Sequence, residues 1–158
     1  VKEVPRRWQV RQEPHLHQVA AAYIVGNFGE GAIISSVEAE VAYRAGGYWI
    51  GQPNTAAEQL LEWLYLGRAD FLLLHDRYGL EGGREALWAD PEEIARSFPE
   101  LTLVATFEGM KNPAYGQKGR LFRFTPSPAR LAAYRRQYPW AGTHPREAGA
   151  APVQARPF

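Results

Sequence analysis

Four consecutive apolar residues, Phe71-Leu72-Leu73-Leu74, constrain this chain more than any other feature. Gly67-Arg68 stands ahead of them and His75-Asp76-Arg77 behind. A short apolar run bounded by such residues is the pattern of a strand covered on both faces. Upstream, Leu60, Leu61, Leu64 and Tyr65 recur at helical spacing. Thr55 is placed as the N-cap of that helix, Glu58 as its capping-box partner and Gly67 as its C′ residue. A capped amphipathic helix feeding a doubly buried strand is half of a βαβ unit. Ile33–Ser35 and Tyr48–Ile50 are the expected neighbours of the strand in mid-sheet.

The rest of the chain reads as packing around that unit. A helix is expected from His15, ended by Asn27-Phe28-Gly29, and Ala32-Ile33-Ile34-Ser35-Ser36 is the first strand. Val37 to Ala45 forms a short helix stopped by Gly46-Gly47, and Tyr48-Trp49-Ile50 a second brief strand. Gly79 to Gly83 is a loop. Asp90-Pro91 opens another helix, with Asp at the N-cap and Pro at N1, which ends before Pro99. Leu101 to Glu108 and Arg120 to Thr125 alternate in the strand sense. In the first, Leu103, Ala105 and Phe107 share a face; in the second, Leu121 and Arg123 oppose Phe122 and Phe124. A long polar hairpin loop, Gly109 to Gly119, joins the two. Ala129 to Tyr138 is a final helix with Leu131 and Tyr134 inward. The expected fold is α/β: a layered domain with a short, mixed, mostly parallel sheet and a C-terminal antiparallel pair. Residues 1–14 read as an arm or linker, 15–140 as one domain and 141–158 as a tail.

Composition narrows the function. Of 158 residues, 46% are hydrophobic and 22% charged, which suits one folded domain. The formal charge of +1 supplies no general attraction to nucleic acid, and no nucleic-acid partner is expected. Without cysteine there are no disulfides, thiolate metal sites or Cys nucleophiles. No apolar run is long enough to span a bilayer, and no signal peptide is visible. The chain opens on Val1, which fits a processed protein or a portion of a longer one.

The candidate chemistry gathers at one place. In open α/β sheets ligands bind outside the carboxyl ends of the strands. His75, Asp76 and Arg77 follow the central strand, and Ser35, Ser36 and Glu38 follow the first. These side chains suit hydrogen bonding or acid–base work, although polar residues also follow strands simply to reach water. His15 and His17, two apart on a helix, point away from each other and lack a third ligand, so no metal is expected. Ser35 has no GxSxG setting, and the glycine-rich pieces lack the spacing of a phosphate cradle. Tyr134-Arg135-Arg136-Gln137-Tyr138 interleaves aromatic and basic residues as single-strand binders do, but reads more simply as a solvated helix face. No cofactor and no catalytic residue are assigned.

The succession AIISSVEAEVAYRAGGYWIGQP, an amphipathic helix, and then GRADFLLLHDR resembles a recurring module. It is similar to the C-terminal extramembrane domain of polytopic GT-C-type glycosyltransferases, the protein-mannosyltransferase and aminoarabinose-transferase-like group. Tyr43-Arg44-Ala45-Gly46 matches a Tyr-x-x-Gly segment, and Ala69 to Arg77 matches the strand that follows a leucine-rich helix. Pro99 to Val104 and Gly119 to Phe124 resemble the closing strands. The likeness runs from about Pro14 to Pro126, and the helix after Pro128 departs from it.

This resemblance implies a soluble accessory domain, not itself catalytic, of a membrane enzyme that uses a polyprenyl-phosphate sugar donor. Its place would be the extracytoplasmic face of the cell membrane. The implied partners are the membrane domain of the same parent chain and a glycan or protein acceptor. Tyr43 joins Ser35, Ser36, Glu38, His75, Asp76 and Arg77 as a candidate ligand-binding residue. Arg6, Arg7, Trp8 and Arg11 would suit contact with the membrane surface. Two alternatives stand beside this reading: a free-standing α/β module binding a nucleotide or sugar at the Ser35–Asp76 edge, and a small acid–base enzyme using Asp76 and Glu38.

Overall fold

The computed structural model describes residues 13–77 and 84–140, together with Gly149 and Pro152. The arm carrying Arg6, Arg7, Trp8 and Arg11, the loop at Gly79 to Gly83 and nearly all of the tail lie outside the described residues. In chain order the elements are α1 (Leu16–Phe28), β1 (Ile33–Ser35), α2 (Glu40–Arg44), β2 (Tyr48–Trp49), α3 (Ala57–Leu66) and β3 (Phe71–His75). A 3-10 turn at Glu85–Trp88 follows, then α4 (Pro91–Ser97), β4 (Leu101–Phe107), β5 (Gly119–Phe124) and α5 (Pro128–Gln137). One five-stranded sheet runs β2-β1-β3-β5-β4. β1, β2 and β3 are parallel, and β5 and β4 are antiparallel additions on the far side of β3. The fold is therefore α/β with a mixed sheet, as the hydrophobic pattern requires.

β3 is central, and all five of its residues are buried. Its side chains alternate between two cores. Leu72 and Leu74 join Leu60, Leu61, Leu64 and Tyr65 of α3 on one face. Phe71 and Leu73 join Ala20, Ala21 and Ile24 of α1 and Val41 and Ala42 of α2 on the other. The β1–β2 and β2–β3 crossovers travel in opposite directions, so a uniform right-handed crossover places α2 and α3 on opposite faces. One expected neighbour is corrected. β2 pairs with β1 and forms the sheet edge, while the second neighbour of β3 is β5, in register from Phe71↔Arg123 to His75↔Gly119.

Three local readings also change. Ala56, not Thr55, is the N-cap of α3, and no side chain caps that helix. The Thr55 carbonyl accepts instead from Arg84 Nε (3.2 Å), and its hydroxyl is buried with no hydrogen-bond partner among the described residues. Gly67 keeps a right-handed backbone (φ -82, ψ -6), and it is space that calls for glycine there, since a Cβ would come within 2.6 Å of Ile50 Cδ1. The left-handed C′ position falls to Arg68 (φ 52), where the Ala69 amide reaches Leu64 O (3.0 Å) and the Arg68 amide reaches Tyr65 O (3.2 Å). In β4 a bulge between Leu103 and Ala105 breaks the expected shared face. Leu103 pairs with Phe122 and packs with the α3 core, whereas Ala105 pairs with Leu121 and packs with the α1 core.

The start of α2 also shifts, to Glu40, because the Ser36 hydroxyl donates to Glu38 O (2.5 Å) and holds a bend ahead of it. α4 begins as expected, with the Glu92 amide donating to Asp90 Oδ1 (2.8 Å) and Pro91 in the first turn. α5 has no fully buried residue, but Leu131 and Tyr134 face inward as expected and pack against the α3 core, beside a polar cluster. Tyr65 Oη donates to Glu100 Oε2 (2.8 Å) and accepts from the Ser127 amide (2.9 Å), while Arg130 donates to the same carboxylate oxygen (2.7 Å). Tyr134 stacks on Tyr65 with ring centroids 5.2 Å apart.

Two substitutions test this frame. Leu73→Ala removes a fully buried side chain from mid-sheet and is expected to cost about 2–5 kcal/mol in denaturant unfolding; an unchanged midpoint would contradict the central placement. Arg68→Gly relieves a left-handed residue and is expected to stabilise the domain by about 1 kcal/mol.

Candidate functional site

The chain leaves β1 towards the α2 face and leaves β3 towards the face that carries the 3-10 turn and α4. The crevice between the carboxyl ends of β1 and β3 is therefore a topological switch point. Ser35, Ser36 and His75 flank it, and all three are buried. Ser35 Oγ donates to Gly51 O (2.7 Å) and Ser36 Oγ to Glu38 O, so both hydroxyls are committed to backbone carbonyls. Glu38 projects into solvent. Tyr43 is half-buried near the end of α2, with no side-chain hydrogen bond or ring contact to these residues.

Asp76 and Arg77 fasten the long hairpin loop. Asp76 Oδ1 accepts from the amides of Gln117 (3.0 Å) and Lys118 (3.2 Å), and the Asp76 amide donates to Lys118 O (3.0 Å). Gly116 makes this approach feasible: at φ +89, any Cβ would stand 2.2 Å from Asp76 Oδ1. Arg77 Nη1 donates to Ala114 O (2.6 Å). A carboxylate held by two amides suits anchoring better than proton transfer.

The clamp delivers Tyr115 to a cluster of imidazoles. Tyr115 stacks on His17 with centroids 4.0 Å apart and meets His15 edge-on at 4.8 Å. His75 lies 5.9 Å from His17, centroid to centroid. His15 is the N-cap of α1: its Nδ1 accepts from the Gln18 amide, and Gln18 Oε1 accepts from the His15 amide (3.0 Å), a capping box built on histidine. His15 Nε2 is 3.6 Å from Glu40. His17 Nδ1 accepts from the Val41 amide (3.1 Å), so its proton sits on Nε2, buried with no hydrogen-bond partner among the described residues.

Burial, reinforced by the neighbouring His75, His15 and Arg44, pushes His17 down to about 3. Burial also lowers His15 and His75, and in both cases outweighs the opposing pull of a nearby carboxylate, Glu40 or Asp76. Among the described residues no group of three His, Asp or Glu side chains is arranged to hold a metal ion.

Sequence spacing placed His15 and His17 apart, and by spacing alone nothing links them to His75 or Tyr115. Arg84 was missed for the same reason. Only 1% exposed, it donates through Nε to Thr55 O, through Nη1 to Gln52 Oε1 (2.8 Å) and through Nη2 to Pro53 O. Gln52 Nε2 in turn donates to Leu73 O (3.0 Å). Among the described residues, Arg84 and Gln52 thus link the 51–55 turn to β3 beside the switch point. An open cleft of about 360 Å³ lies at the opposite end of the strands, between Phe28, Arg68, Asp70 and Arg123.

No known family, curated protein or solved structure matches the chain.

The buried imidazoles give stability a pH dependence of definite sign. The folded state holds His17 neutral down to about 3, while the unfolded chain protonates it near 6.5. Between these values the unfolded state binds more protons, so stability is complete above about 6.5 and falls with acid, by up to about 1.4 kcal/mol per pH unit. His17→Asn keeps an acceptor for the Val41 amide without the titration. Denaturant unfolding of this variant between pH 7 and 4 is expected to show a shallower slope; an identical slope would rule His17 out as the source.

Proposed function

We propose that the chain is a soluble, non-catalytic accessory domain of a membrane-embedded glycosyltransferase that uses a polyprenyl-phosphate sugar donor, placed on the extracytoplasmic face. The observation that supports this reading is where the resembling segments fall. AIISS supplies β1, Tyr43 to Gly46 supplies the end of α2 and its turn, and Ala69 to Arg77 supplies central β3. Pro99 to Val104 and Gly119 to Phe124 supply the antiparallel pair. The resembling segments, taken together, supply the strands of one sheet.

A second observation agrees with a recognition role rather than a chemical one. Ser35 and Ser36 donate to carbonyls, and Asp76 is held by loop amides. Groups so engaged build a rigid surface, on which an acceptor would be held while the sugar is transferred elsewhere in the parent protein. The basic arm with Arg6, Arg7, Trp8 and Arg11 would run back to the membrane domain.

The reading frame tests this directly. Upstream of Val1 it is expected to encode several apolar segments of about 20 residues, and the native protein is expected to stay with membranes through alkaline carbonate washing. A start codon immediately before Val1, or recovery of the native protein in the wash, would overturn the proposal.

A further inference from the structure

Two tryptophans beside the switch point are placed unlike core residues. Trp49, on edge strand β2, is 42% exposed, and Trp63, on α3, is 36% exposed. Each indole N–H is nevertheless pinned to the backbone. Trp49 Nε1 donates to Ser36 O (2.9 Å) and Trp63 Nε1 to Gly51 O (3.2 Å). Gly51 O also accepts from Ser35 Oγ, and a Cβ on Gly51 would lie 3.8 Å from the Trp49 ring. Both indoles are thus tied to the β1 and β2 chain ends around one turn. Their orientation is set from within while much of each ring faces water.

The surroundings define what such rings can receive. Between Arg44 and Arg68 the chain has no lysine or arginine, but it carries Glu58 and Glu62, and Glu38 is exposed close to Ser36. An anionic lipid surface, a nucleic acid or a phosphate ester would find carboxylates here, while Arg84, the cation at this turn, is buried and donates to Thr55 O, Gln52 Oε1 and Pro53 O. A docked protein needs about 800 Å² on each partner, and β2 is two residues long, too short to template an added strand. A neutral saccharide fits what remains. Its C–H faces stack on aromatic planes, and its hydroxyls donate to exposed carboxylates. Rigid tryptophans supply such contact at low entropic cost.

We infer that Trp49 and Trp63 form a binding platform for a neutral saccharide at the carboxyl edge of the sheet. This names the acceptor class for the recognition role proposed above and rests on that reading for its biological meaning, though the binding itself does not need a membrane. The test is titration of the 158-residue chain with maltohexaose, mannohexaose, cellohexaose, laminarihexaose and chitohexaose, followed by tryptophan emission and calorimetry. At least one is expected to give a saturable change, weakened roughly tenfold or more by Trp49→Ala and by Trp63→Ala and unaffected by Trp140→Ala. Trp49→Phe and Trp63→Phe, which keep a ring, are expected to retain folding and part of the binding. No saturable response across the panel, or affinity indifferent to both Ala and Phe variants, would overturn the inference. So would an emission shift with phosphatidylglycerol vesicles that depends on these two residues while the saccharides give none. Membrane retention of the native protein, scored separately, shows whether the accessory-domain reading fails with it or stands.

Discussion

Everything in this fold is referred to the burial of β3 on both faces. A strand shielded above and below has no water for its backbone groups, so its ladder must be completed on both sides. β1 supplies one side in parallel and β5 the other in antiparallel. Asp70, just ahead of the strand, adds a brace: its amide donates to Ile33 O, its carbonyl accepts from the Phe124 amide, and its carboxylate accepts from the Ile33 amide, each at 2.8 Å. One residue thus ties the entry of β3 to both neighbours. The alternation of Leu72 and Leu74 against Phe71 and Leu73 then divides the interior into two cores, with α3 over one and α1 and α2 over the other.

The same placement determines what happens at the carboxyl ends. Because β5 runs antiparallel beside β3, the hairpin loop that precedes it arrives at the end of β3, next to His75 and Asp76. Asp76 captures the loop amides, and the loop sets Tyr115 on His17. α1 brings His17 to the same spot, because its first turn packs where α2 begins, with the Val41 amide donating to the imidazole. Among the described residues, the side chains at the edge where open α/β sheets commonly take ligands are engaged with the protein itself, and the tryptophans Trp49 and Trp63 stand beside it.

The C-terminal helix follows a different rule. α5 buries no residue fully; half-buried Leu131 and Tyr134 pack on the core, and the Tyr65–Glu100–Arg130 cluster adds a polar tie with Tyr134 stacked on Tyr65. The buried Glu100 carboxylate is tolerable because a phenol and a guanidinium both donate to it.

Sequence by itself determined the α/β class, the order of helices and strands, the central position of Phe71 to Leu74 and the antiparallel pair at the end. These follow from local periodicity and from turn residues, which act over a few positions and need no knowledge of the rest of the chain. Tertiary structure alone decided that β5 rather than β2 lies beside β3, that a bulge turns Ala105 to the opposite core from Leu103, and that Arg68 rather than Gly67 takes the left-handed position. It also decided the site. Ser35, Ser36, His75 and Asp76 were legible as strand-end residues, but His15, His17, Arg84 and Tyr115 come from distant segments, and nothing in their spacing says that they meet. Contacts between residues far apart in the chain are set by the packing of whole elements on one another, and that information is not carried by any short stretch of sequence.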